Sequence, residues 1–156
     1  MKKIISIPLL IGMSFNALAD KLIIPMDATQ KNHLKAYGIA YWVLEQQEEV
    51  EWLLNYKGGS FLMNDYENIE KECLLRGVSF STMSETRANT IKNEITNPSV
   101  NAEVVKLLKV PKIAVYSPKT AQPWDDAVTM VLEYAGIPYD VVFDDEVLSD
   151  KLPQYN

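Results

Sequence analysis

Residues 112–145 read KIAVYSPKTAQPWDDAVTMVLEYAGIPYDVVFDD, and this stretch constrains the fold more than any other. Residues 113–116 form a short apolar run that suits a strand covered on both faces. Asp125 and Asp126 stand where a helix should begin, Ala127, Val128, Val131, Leu132 and Ala135 share one stripe, and Gly136 followed by Pro138 marks its end. Residues 139–143 are a second strand. Strand, helix and strand in that order make a parallel pair, the opening of a doubly wound α/β sheet. Eleven residues follow Asp145, while such a sheet needs several more strands to bury its faces. The chain is therefore expected to be the N-terminal part of something longer.

The residues before this stretch predict a separate α+β module. Residues 21–25 read as a strand, and residues 30–47 as a helix capped by Asp27 or Thr29, with Leu34, Tyr37, Gly38, Tyr41 and Leu44 on one stripe. Lys57-Gly58-Gly59, set between residues 51–56 and 60–63, is the strongest hairpin signal, because glycine supplies the positive φ of a tight turn. Asn64 or Asp65 can cap a helix with Tyr66, Ile69 and Cys73 in line and Gly77 at its end, and residues 78–83 alternate as a strand. Strand, helix, strand, strand, helix, strand is the order of the ferredoxin-like split βαβ pattern. Two helices, over 85–95 and 101–109 with a break at Asn97-Pro98-Ser99, then read as a connector. The expected divisions are a leader at 1–19, an α+β module at 20–83, a helical connector at 84–111 and an incomplete α/β domain at 112–156.

The leader follows from Met1-Lys2-Lys3, a largely apolar run over 4–15, and Ala17-Leu18-Ala19 in the small-x-small form of a signal-peptidase site. Its apolar run is shorter than the ~20 residues of a spanning helix, so a periplasmic or secreted protein beginning at Asp20 is expected, with no transmembrane segment. Losing Lys2 and Lys3 leaves 13 basic against 21 acidic residues. An acidic chain without a basic stripe is a poor partner for nucleic acid. A hydrophobic content of 47% excludes a disordered chain.

Candidate chemistry is sparse. In open α/β sheets ligands gather at the carboxyl ends of the strands, which singles out Ser117, Lys119 and Thr120 after the first strand and Asp144 and Asp145 after the second. The loop lacks the glycine spacing of a phosphate cradle, so the first three read as a surface loop or, alternatively, as ligand contacts at a helix N-terminus. Asp144 and Asp145 read as caps of a following helical turn or, alternatively, as metal ligands. His33, the single histidine, reads as a solvated residue, and Cys73, the single cysteine, as a small buried apolar residue beside Glu70 and Glu72. Tyr37, Tyr41, Trp42, Trp52, Tyr56 and Phe61 cluster in the first module, either as core or as an apolar surface for a partner.

Residues 112–145, taken with residues 37–63 (YGIAYWVLEQQEEVEWLLNYKGGSFLM), resemble a family of exported proteins from Bacteroidota whose longer members are often labelled asparagine synthetase B. The resemblance spans nearly all of the chain after the leader. It implies that KIAVYSP followed by DDAVTMVLEYAGI opens a class I glutamine-amidotransferase-like domain. A glutamine-hydrolysing asparagine synthetase would carry a catalytic cysteine freed as its N-terminus and an SGGxDS pyrophosphate loop. Here Met1 is followed by Lys2, and no SGGxDS occurs. Cys73 precedes the first α/β strand and cannot be an amidotransferase nucleophile by position, so no catalytic residue carries over. The expectation is an exported soluble protein with an amidotransferase-like domain, non-catalytic and without a cofactor, that binds a small ligand or an envelope partner. The alternative is an amide-transferring or amide-hydrolysing enzyme whose active site lies beyond Asn156.

Overall fold

The computed structural model describes residues 20–155. Along them run β1 (Asp20–Ile24), α1 (His33–Glu45), β2 (Val50–Leu54), β3 (Ser60–Asn64), α2 (Glu67–Arg76), β4 (Ser81–Ser84), α3 (Glu85–Ile95), β5 (Glu103–Leu107), β6 (Ala114–Tyr116), α4 (Ala127–Ala135), β7 (Asp140–Val142) and α5 (Asp144–Leu148). The expected leader lies outside the described residues. The protein is of mixed α and β class, with an antiparallel five-stranded sheet and a small parallel pair.

The larger sheet has the order β4-β1-β3-β2-β5, every neighbour antiparallel. Its first four strands, threaded by α1 and α2, have the order and pairing of the split βαβ pattern. Side-chain alternation sends Leu22, Ile24, Val50, Phe61 and Met63 to one face, where Ile39 and Val43 of α1 and Ile69 and Cys73 of α2 cover them. Ile23, Leu53 and Leu62 point to the other face and meet Ala88, Ile91 and Ile95 of α3. Each fully buried aliphatic side chain of this kind contributes roughly 1.5–3 kcal/mol through removal from water. Among the described residues, no helix is long and apolar enough to cross a membrane.

The helix ends follow local chemistry. The Asn32 carboxamide, rather than Asp27 or Thr29, caps α1 by accepting the Lys35 N–H at 3.2 Å, while Asp27 is occupied with the Thr29 N–H at 3.0 Å. The expected α1 stripe holds at Gly38 and Leu44, which are buried, but Leu34 and Tyr37 are 39% and 44% exposed, and Ala36, Ile39, Ala40 and Val43 are buried as well. The small Ala36, Gly38 and Ala40 and the β-branched Ile39 and Val43 let α1 lie close to its neighbours, which turns Leu34 and Tyr37 outward. Gly77 and Gly136 end α2 and α4 in the left-handed conformation, with φ of 68° and 72°.

Within residues 101–109, where a helix was expected, residues 103–107 form the strand β5. Val104, Val105 and Leu108 sit at helix-compatible spacing, but Val105 lies opposite Trp52 and Val104 opposite Leu53, extending the sheet beyond β2. Leu108 is left 76% exposed. The unpaired backbone of β2 and two adjacent β-branched valines outweigh the helical spacing. The segment expected as a helical connector thus supplies α3 and β5, a covering layer and an edge of the sheet.

β6 and β7 pair in parallel, with Val115 opposite Val141, and α4 connects them. Complete cover of these strands is not found among the described residues: Val142 is buried, whereas Tyr116 and Val141 are exposed. The expected α4 stripe is borne out in part: Ala135 is buried and Val131 and Leu132 are half-buried, whereas Ala127 and Val128 are exposed and Thr129 is buried in their place. Ala135 abuts Gly38 of α1, and two polar contacts fix the crossing. The Asn32 carboxamide nitrogen donates to the Tyr134 hydroxyl at 2.8 Å, and Lys35 Nζ lies 5.0 Å from the Tyr134 ring centroid.

Candidate functional site

The loop after β6 and the first turn of α5 meet at the carboxyl ends of the parallel strands. Lys119 Nζ lies 3.1 Å from Glu146 Oε1 and 3.9 Å from Asp145 Oδ2. Tyr116 donates its hydroxyl to Asp144 Oδ1 at 2.6 Å, and this bond raises its phenol pKa. Ser117 donates its backbone N–H to Val142 at 3.0 Å, continuing the ladder. A depression of about 300 Å³ is lined by Ser117 and Lys119 together with Gln122, Thr129 and Tyr139, but not by Thr120, Asp144 or Asp145. The fold therefore brings Ser117 and Lys119 together and leaves Thr120 exposed on the loop.

The polar groups of this region are engaged with one another. Asp126 accepts the N–H groups of Val128 at 2.7 Å and Thr129 at 3.2 Å, so two of the α4 N-terminal donors are taken by the cap. Glu146, not the two aspartates before it, caps α5 by accepting the Phe143 N–H at 3.1 Å. That bond first, and the Lys119 ammonium second, hold the Glu146 carboxyl below its ordinary value. Its stabilising contribution is complete above the unfolded carboxylate pKa and is lost as pH falls through the lower folded one. Lys119→Met is expected to move the Glu146 titration, followed by carboxyl NMR, part of the way back toward the ordinary value. No movement would show that the ion pair does not persist in solution. Among the described residues, no group of three or more His, Cys, Asp or Glu could hold a metal ion.

A second site lies where the sheet module meets β6 and α4. Tyr37 and Tyr41 of α1, Trp52 of β2 and Phe61 of β3 wall a concavity of about 400 Å³. Leu107, Ile113 and Ile137 complete its apolar surface, and Lys109 and Pro111 also line it. The rings are mutually fixed: Trp52 stacks on Phe61 at 6.2 Å and Tyr37 meets Phe61 edge-on at 5.4 Å. Trp52 Nε1 donates to the Gly59 carbonyl at 3.0 Å, an anchor that depends on the hairpin turn. Burial first, and the Glu45 carboxylate second, raise the Tyr41 phenol pKa, so it remains a hydroxyl donor, bonded weakly to the Pro111 carbonyl at 3.4 Å.

The aromatic residues singled out in the sequence thus divide. Tyr37, Tyr41, Trp52 and Phe61 line the concavity, with Phe61 buried in the core and Trp52 packed against it, whereas Trp42 and Tyr56 pack against the two faces of the sheet without lining the space. Leu107 and Lys109 were not legible as lining residues because residues 101–109 had the spacing of a helix, which would have pointed them elsewhere, and Pro111 carries no local signal of its own. Cys73 is buried, and desolvation pushes its thiol up to about 12, which leaves almost no thiolate for nucleophilic chemistry. His33 Nε2 lies 3.2 Å and 3.1 Å from the carbonyl oxygens of Met26 and Asp27, where its ring braces the turn before α1.

In comparisons with protein families, curated proteins and solved structures, none matches this chain.

Proposed function

We propose that the protein is an exported, non-catalytic binding protein that holds a small ligand in the concavity walled by Tyr37, Tyr41, Trp52 and Phe61. One observation carries this reading: four aromatic rings from three elements meet around a preformed space of about 400 Å³, within the range typical of small-molecule sites. The strand-end polar cluster offers less, because its charges are paired among themselves. Export is supported by the leader pattern of residues 1–19, whose removal at Ala19 would leave β1 entire.

The neutral dye Nile red provides a direct test. The chain after the leader is expected to bind it saturably at about one per chain, and Tyr37→Ala, at a half-exposed position, should weaken binding several-fold. Absence of saturable binding, or steady release of ammonia from glutamine, would reject the reading.

A second reading, amide transfer or hydrolysis, is favoured by β6, α4 and β7. A parallel pair whose faces are only partly covered has the form of an amidotransferase-like sheet awaiting further strands. The chemistry would then be carried by those strands and by none of the described residues.

A further inference from the structure

We propose that the ligand of the aromatic concavity is a small amphipathic monocarboxylate, with its apolar tail between the rings and its carboxylate on Lys109. This rests on the binding reading above and adds the ligand's chemical class.

The argument begins with what the walls can and cannot offer. Their surface is almost wholly apolar, and two polar tips are already spent, the Trp52 N–H on Gly59 and the Tyr41 hydroxyl on Pro111. A ligand body rich in polar groups would lose hydration there without recovering hydrogen bonds. An aliphatic or aromatic tail would instead displace water from the accessible faces of Tyr37, Tyr41 and Trp52.

Lys109 supplies the second half of the argument. It is the charged residue among the concavity's lining, it is exposed, and it forms no ion pair with another described residue. The neighbouring Lys106, by contrast, is held at 2.9 Å by Glu49. Two residues past the end of β5, Lys109 joins the lining of an otherwise apolar space, where one anionic head and one apolar tail can be satisfied together. Glu45 acts in the opposite sense, since its carboxylate is felt at Tyr41. The excess of 21 acidic over 13 basic residues after the leader also opposes anions at long range, so selectivity for a carboxylate must come from direct contact with Lys109.

Octanoate, octan-1-ol and octylamine share a tail and differ in head group, so calorimetric titration of the chain after the leader with each separates the two levels of inference. Octanoate is expected to bind about fivefold more tightly than octan-1-ol, the scale of an exposed ion pair. Lys109→Met should remove that difference without changing octan-1-ol affinity, and Lys109→Arg should keep it. Glu45→Gln should tighten octanoate about twofold, and Tyr37→Ala should weaken all three probes together. If octan-1-ol or octylamine bound as tightly as octanoate, the carboxylate assignment would be overturned while the binding site stood. If none of the three bound, the site itself would be rejected.

Discussion

Gly38→Ala is expected to destabilise the protein by about 2 kcal/mol, although the same change in an isolated helix would stabilise it by about 1 kcal/mol. A β-carbon at Gly38 would overlap the carbonyl oxygen of Ala135 and lie 2.9 Å from its carbonyl carbon. These are backbone atoms at the end of α4, so no side-chain rotation relieves the overlap. α4 must move off α1, which breaks the Asn32 to Tyr134 hydrogen bond and the Lys35 contact with the Tyr134 ring. Ile137, two residues beyond Ala135, lines the aromatic concavity, so Nile red binding should weaken with the seam. Hydrogen exchange should accelerate in α4, β6 and β7 while the amides of β1 and β3 keep their protection. A rise in stability would mean that helix propensity governs this position and that α4 is not seated on α1.

The difference between what was legible and what was not follows the range of the interactions involved. Hairpin and helix ends were legible because Gly58, Gly59, Gly77 and Gly136 all adopt positive φ, a local requirement written in the residue type. Strand and helix order in the first module followed from short-range periodicity, and the sheet order then followed from the split βαβ topology. β5 was not legible, because its valines become a strand only against the free edge of β2, some fifty residues away in sequence. Burial on α1 and α4 was legible at Gly38, Leu44 and Ala135 but not at Ala36, Ile39, Val43 or Thr129. The reason is that α1 packs on the sheet and also on α4 at Gly38, so its buried surface is wider than one stripe.

The concavity suffered the same loss at a distance. Tyr37, Tyr41, Trp52 and Phe61 could be named from composition, but the sequence could not separate them from Trp42 and Tyr56, which share their chemistry and their neighbourhood. The separation depends on sheet alternation and on the arrival of β5, Ile113 and Ile137 around the rings. Conversely, Ser117, Lys119, Asp144 and Asp145 were picked for their place at the strand ends. The fold uses Lys119 and Asp144 in internal contacts, with Glu146 and Tyr116 as partners.

The largest stability effect is expected at Ile91, on the helix whose role differs most between sequence and structure. Ile91 is buried on α3 beside Ala88 and Ile95, facing Ile23, Leu53 and Leu62. Ile91→Ala removes methyl and methylene groups from a packed layer and leaves a cavity, a loss of about 3 kcal/mol and a fall in Tm of about 10 °C. The exposed Thr90 on the same helix serves as the comparison, and Thr90→Ala should stay within about 0.5 kcal/mol. A connector helix would make the two substitutions indistinguishable. The physical demand lies in the sheet itself: without α3, Ile23, Leu53 and Leu62 would face water, and Glu51 would lose the Lys92 ammonium held at 3.1 Å on that face. Denaturant unfolding followed by Trp52 fluorescence and by far-UV circular dichroism should therefore give one coincident, lowered transition for Ile91→Ala, since α3 and the sheet share one core. Separate transitions, with the sheet unchanged, would return α3 to the status of a connector.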